Sequence, residues 1–174
     1  KAFEKRASAT SFSPRELSLQ DLSDLLWASN GINRTETGKR TAPTAVNAQD
    51  IDIYVLLRSG AYLYDHKTHE LKGIAAGDNR KLVSEKQTTF ENAPVMLVLV
   101  SDLSRFRGGD DARKLNWGAM DAGIVSQNVS LFCAGAGLVT RPRATMDTEG
   151  LKKLLSLNDN QYPLLNNPVG YPNE

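Results

Sequence analysis

Arg40-Thr41-Ala42-Pro43-Thr44-Ala45-Val46-Asn47-Ala48-Gln49 lies between an amphipathic helical pattern and an alternating strand. Its reading decides the rest of the chain. It is a loop of small and amide side chains. Thr44 and Ala45 let a flat molecule approach the backbone, while Asn47 and Gln49 each carry a donor and an acceptor, which the edge of a planar heterocycle needs. The same residues also fit an ordinary polar loop with one proline, and the stretch alone does not choose between the two.

Working outward, Ser18-Leu19-Gln20-Asp21 reads as a helix start with Ser18 as N-cap, followed by an apolar face of Leu19, Leu22, Leu25 and Leu26 and a stop at Gly31. Thr35 to Lys39 reads as a polar surface turn. Downstream, Ile51 to Leu57 is a half-buried strand, turned by Arg58-Ser59-Gly60 into Ala61-Tyr62-Leu63-Tyr64 to make a hairpin. Val95 to Val100 is unbroken apolar sequence after Pro94, as in a central strand buried on both faces. The longest helix runs from about Leu115 to Ala136. Its Gly118, Gly123 and Gly135 would weaken it unless close packing compensates, which predicts a central helix pressed against a neighbouring backbone. Asp147 caps a short helix through Leu155, and Tyr162 to Val169 forms a last strand. The expected fold class is α+β, with a mainly antiparallel sheet flanked by helices.

Composition bounds the function. The 174 residues, 40% of them hydrophobic, suit one domain with a real core. A net charge of +1, from 21 basic and 20 acidic residues, argues against nucleic acid or an anionic membrane as main partner. No apolar run is long enough for a membrane span. The single cysteine, Cys133, allows no internal disulfide and sits in an apolar helical stretch, so it reads as a packing residue. Lys1 is not an initiator residue, so the chain is expected to have been trimmed. Its compartment is left open: cytoplasmic by default, periplasmic if a signal segment was removed before Lys1.

Arg6-Ala7-Ser8-Ala9-Thr10 sets small polar side chains after a basic one, a pattern that can hold a phosphate by a charge-assisted fork and hydroxyl donors, or can be a solvated N-terminal turn. Taken with Leu25 to Arg34, Pro43 to Asn47, Asn128, Gly137-Leu138 and Gly170-Tyr171-Pro172, the order and spacing resemble the FMN-dependent nitroreductase family, especially small members near the SagB-type dehydrogenases. The resemblance covers almost the whole chain and implies one FMN-binding domain over residues 1–174, acting as a homodimer. It implies that Arg6, Ala7, Ser8 and Thr10 grip the FMN phosphate and ribityl chain, although Thr10 stands where a basic residue is usual. It sets Pro43, Thr44, Ala45 and Asn47 over the flavin, commonly from the opposite subunit, and Gln87 at the pyrimidine edge, with Lys86 as the alternative. Pro142, Arg143, Ala144 and Thr145 would form the turn near flavin N5 and O4, with Arg143 also helping to neutralise the phosphate. Relatives use basic residues beyond the last strand for that purpose, whereas this chain stops at Glu174.

The implied activity is hydride transfer from NADH or NADPH to FMN and on to a small nitroaromatic or quinone-like acceptor, with ping-pong kinetics. The flavin carries the chemistry, and no side chain is singled out as catalytic. Two rivals remain: a SagB-type dehydrogenase oxidising a heterocycle in a peptide, and a non-catalytic module that has kept the fold. Thr10 and the short C-terminus speak for the module.

Three motifs are discounted. Gly135-Ala136-Gly137 ends a helix and lacks a third glycine, so it is no dinucleotide fingerprint. His66-Lys67-Thr68-His69 reads as a solvated hairpin end rather than a metal site. Asp110 and Asp111 with Arg107 and Arg113 read as a solvated charge cluster.

Overall fold

The computed structural model describes residues 1–173. In chain order the strands are β1 (Ile32–Arg34), β2 (Lys39–Arg40), β3 (Ile51–Leu57), β4 (Gly60–Asp65), β5 (Glu70–Ala76), β6 (Val95–Asp102), β7 (Val139–Thr140) and β8 (Gln161–Gly170). The helices are α1 (Ala2–Lys5), α2 (Leu19–Asn30), α3 (Lys81–Ser84), α4 (Asp111–Ala136) and α5 (Thr148–Leu154). Six strands form one antiparallel sheet in the order β5-β4-β3-β6-β8-β7, and β1 and β2 form a small separate hairpin.

Neighbouring residues of a strand face opposite sides of a sheet, and both sides of β6 are covered. Val95, Leu97 and Leu99 join the core beneath α2 and α4, with Ile51, Ile53 and Val55 from β3. Met96, Val98 and Val100 join a second core with Phe12, Val83, Phe90 and Leu151. That two-sided burial is why the β6 sequence is unbroken rather than alternating. β8 continues the pattern with two fully buried asparagines, Asn166 opposite Val98 and Asn167 opposite Leu97. Buried amides need partners. Asn167 Oδ1 accepts from Ser126 Oγ of α4 at 2.8 Å, and Asn166 Nδ2 donates to Thr145 O at 3.0 Å.

The Ser18 cap forms as the sequence suggests, its hydroxyl accepting from Asp21 N at 3.0 Å. Leu22, Leu25 and Leu26 are buried, but Leu19, expected on the same face, is 83% exposed in the first turn. Gly31 follows the helix with φ −76°, so it is not a left-handed stop; a Cβ there would meet Trp27 Cδ1 at 2.7 Å. α4 starts earlier than Leu115, because Asp110 accepts from Arg113 N at 2.8 Å and caps it. It ends on Gly137 at φ +76°. Among its glycines only Gly118 is pressed against a neighbour, the Ser101 side chain, while a Cβ on Gly123 or Gly135 would meet nothing within 4 Å. The polar turn from Thr35 to Lys39 is the tip of the β1–β2 hairpin. β5 was not legible: it is a mostly exposed edge strand that touches the cores only through Leu71 and Ala75.

Candidate functional site

The loop from Pro43 to Gln49 holds three non-glycine residues in the left-handed region, Val46 (φ 47°), Asn47 (φ 54°) and Gln49 (φ 50°). Such backbone costs of order 1–3 kcal/mol per residue and persists only where its surroundings impose it. Asp121 of α4 does much of this, its two carboxylate oxygens accepting from Ala45 N at 3.0 and 2.9 Å. Gln49 N donates to Thr44 Oγ1 at 2.9 Å, Gln49 Nε2 to Gly38 O at 3.1 Å, and Arg105 Nη1 to Gln49 O at 3.0 Å. The loop is thereby held with Val46 and Asn47 exposed.

Behind Asp121 stands a second buried carboxyl, Asp50, which accepts from Ser101 Oγ at 2.5 Å. Its other oxygen, Oδ1, has no protein donor. Burial above all, and then the hydrogen bond and charge of Asp121, push Asp50 up to about 7 against the opposing Ser101 bond. Burial also raises Asp121, while the bonds from Ala45 N and Asp50 lower it. Two adjoining carboxyls share one proton more cheaply than they ionise together. Asp50 is therefore the carboxyl that holds a proton to higher pH, and the Asp121 carboxylate faces the Ala45 N–H.

The second cluster lies beyond the other end of α4. Ser8 pairs with Thr140 in a parallel bridge, and Ala9 N donates to Thr140 O at 2.9 Å. This brings Arg6, Ala7, Ser8 and Thr10, all exposed, beside the segment that continues to Pro142, Arg143, Ala144 and Thr145. Pro142, Ala144 and Thr145 are exposed, whereas Arg143 is buried. Its guanidinium donates to Val83 O and Asn166 Oδ1, both at 3.0 Å, and to Gln87 Oε1 at 3.2 Å. It also lies over the Phe90 ring, 4.3 Å from the centroid. Burial lowers its pKa, but a guanidinium stays charged. The exposed Gln87 is therefore anchored at the same cluster through its carbonyl oxygen. Arg6 has no ion-pair partner among the described residues, so its charge is free for an anion.

One chain does not bring the two clusters together. Ala45 is tied to α4 at Asp121, while Ser8 is tied to Thr140, past the end of the helix at Ala136. The helix between those points runs for roughly 22 Å at 1.5 Å per residue. Between them α4 exposes Gly123, Ile124 and Gln127, and Met120 is exposed just before Asp121.

The family model for the nitroreductase family matches residues 3–171. The chain belongs to the nitroreductase family. A candidate nitroreductase of Methanocaldococcus jannaschii is 29% identical over 175 residues, spanning 95% of this chain and 87% of that protein. The crystal structure of a candidate nitroreductase from Ralstonia eutropha shares 32% identity and a TM-score of 0.88, over 99% of this chain and 82% of the other. A chain of the E. coli microcin synthetase complex shares the fold, with a TM-score of 0.85 at 18% identity over 98% of this chain and 70% of the other. Membership makes this nitroreductase-family chain an oxidoreductase of a flavin-using kind.

Asp50, Ser101, Asp121 and Arg40 escaped the sequence reading. Asp121 carried a signal, a lone acid on the apolar stretch Gly118 to Val125, but nothing local paired it with Asp50. The histidine turn also does more than contact solvent. His66 Nε2 lies 2.9 Å from Arg40 Nη2, while His69 bonds Tyr64 Oη at 2.9 Å and Ser23 Oγ at 2.7 Å. No group of three or more metal-ligating side chains occurs among the described residues.

Proposed function

We propose that this chain is an FMN-dependent oxidoreductase that works as a homodimer, drawing on NADH or NADPH to reduce a small nitroaromatic or quinone-like acceptor. The carrying observation is the separation of the two clusters along α4, with an open face of small and apolar residues between them. A second copy packed on that face would complete with its Pro43–Asn47 loop what the Arg6 cluster of the first begins. The exposed groups fit FMN: Arg6 as counter-charge for the phosphate, Ser8 and Thr10 as hydroxyl donors, and Gln87 and Asn47 as amides for the ring edge.

Bound there, FMN supplies the two-electron chemistry. The protein's part is to bind and orient. Arg143 holds Gln87 in place, and the Asp50–Asp121 pair holds the loop of Thr44, Ala45 and Asn47. Pro142, Ala144 and Thr145 present exposed backbone beside Ala7 and Ser8. Donor and acceptor would use one pocket in turn, so the kinetics are expected to be ping-pong.

The test is to purify the protein, denature it and identify the released flavin, then mix the loaded protein anaerobically with NADH or NADPH and follow the flavin absorbance. FMN, bleaching and twice the chain mass by light scattering are expected. Arg6→Ala should weaken FMN binding by about 1.5–3 kcal/mol. A strictly monomeric loaded protein, or release of FAD, would refute the reading. Loaded protein that fails to bleach would favour oxidation of a peptide heterocycle instead.

A further inference from the structure

Arg40 is a buried cation that no carboxylate touches, although Asp52 and Asp50 act on it through space. It is 5% exposed and has no carboxylate within ion-pair distance among the described residues. Nη1 donates to Ile51 O at 3.0 Å, Nη2 to His66 Nε2 at 2.9 Å, and Nε has no partner. A guanidinium cannot accept, so His66 receives through Nε2 and is the neutral tautomer with its proton on Nδ1. It offsets none of the charge. Burial first, and then the charge of Arg40, hold His66 down to about 4.

Arg40 forms a wall shared by two cavities. The larger, about 430 Å³, contains His66, Lys67 and Arg105, and it also holds Asp52, which Arg105 pairs, and Asp65, which Lys72 pairs. The smaller, about 290 Å³, is lined by Arg34, Lys39 and Arg40 with Thr44, Asn47 and Gln49, and no carboxylate lines it. Arg34 and Lys39 form no ion pair among the described residues. Three cations with no carboxylate in contact, one of them nine-tenths buried and reached by Asp52 and Asp50 only through space, make a cleft whose field draws anions. An anion there would offset part of the cost of burying Arg40. The cleft also shares Thr44 and Asn47 with the loop assigned above to the ring of the cofactor.

We infer that the Arg34–Lys39–Arg40 cleft receives an oxyanion, a carboxylate or phosphate, carried by the molecule that exchanges electrons at the neighbouring loop. This rests on the proposed flavin reading and narrows it: the substrate is anionic, and the β1–β2 hairpin, which contributes Arg34, Lys39 and Arg40, selects it. A carboxylate would mark an aromatic acid as acceptor. A phosphate would mark the phosphorylated end of the dinucleotide donor.

The test is a titration of the FMN-loaded protein with benzoate, inorganic phosphate and neutral benzamide, following the backbone amide resonances of Gly38, Ala42, Thr44 and Gln49. Saturable shifts confined to these residues are expected with benzoate or phosphate, and none with benzamide; whichever anion binds more tightly identifies the source. Lys39→Gln, which breaks no hydrogen bond among the described residues, should weaken that binding severalfold while leaving the melting temperature and flavin content unchanged. Adding Arg34→Gln, which also removes the Nη2 donor to Arg40 O at 2.6 Å, should take the loss to at least about tenfold. Absence of saturable anion binding, shifts elsewhere, or equal binding by the double variant would overturn the inference. Binding to the flavin-free protein that vanishes on FMN loading would also overturn it, since the cleft would then be the cofactor's own. If the protein takes up no flavin, titration of the flavin-free protein still decides the cleft, so the two readings fail separately.

Discussion

The two clusters that α4 keeps apart hold their backbone with buried charges of opposite sign. At one, the Asp121 carboxylate, backed by a second buried carboxyl whose pKa burial raises, fixes a single amide, Ala45 N. At the other, the Arg143 guanidinium spreads its charge over a carbonyl and two side-chain amides and needs no carboxylate. Five fixed donors let arginine tie three segments at once, whereas a carboxylate fixes what comes to it. The anionic clamp is therefore adjustable by pH, and the cationic one is not.

Breaking the cationic clamp should cost most. Arg143→Ala strands Val83 O and Asn166 Oδ1 without their donor and should lower stability by about 3–5 kcal/mol, read from the urea midpoint. Arg143→Lys should recover only part of it, because a point charge cannot fork. Asp121→Ala, which removes the acceptor of Ala45 N, should cost about 1.5–3 kcal/mol. Equal losses at Arg143 and Asp121 would erase the contrast. Gly118→Ala reaches the anionic clamp from behind, since its Cβ would press into Ser101 Oγ and displace the donor to Asp50; about 1–2 kcal/mol is expected.

The smallest and sharpest effect is in pH. Asp50, raised from 3.8 to about 7, is protonated longer in the folded state than in the unfolded one, so its contribution to stability falls as pH rises through that window. His66, lowered from 6.5 to about 4, does the reverse, and stability from it rises with pH between those values. The two slopes oppose each other below about pH 6.5. Asp50→Asn keeps an acceptor for Ser101 Oγ and removes the titrating group, so it should fold normally yet unmask a rise in melting temperature from pH 4.5 to 6.5. His66→Gln should unmask the fall. Unchanged pH profiles in both variants would remove the shared proton from the account.

Much of the fold was legible because its signals are local. The unbroken run at Val95 to Val100 announced a two-sided strand, and Ser18 and Asp147 marked helix starts that the chain uses. Nitroreductase membership was likewise readable from the spacing of Arg6, Pro43 to Asn47 and Gly170. What misled were residues whose local chemistry suited several outcomes. Leu19 fits an apolar stripe but lies one turn too early to reach the core, and the glycines of α4 look alike although only Gly118 meets a neighbour.

The sequence by itself therefore determined the long helices, the central strands with their two-sided core and the family, since periodicity, caps and motif spacing act within a few residues. The edge strand β5 and the shortest elements were left to the fold. Tertiary structure alone decided which charges stand buried together. Asp50 meets Asp121, Arg40 meets His66 and Arg143 meets Asn166 across many intervening residues, and burial changes what such groups do. A carboxyl holds or loses its proton, and a guanidinium gains or lacks a counter-ion, according to neighbours that only folding supplies.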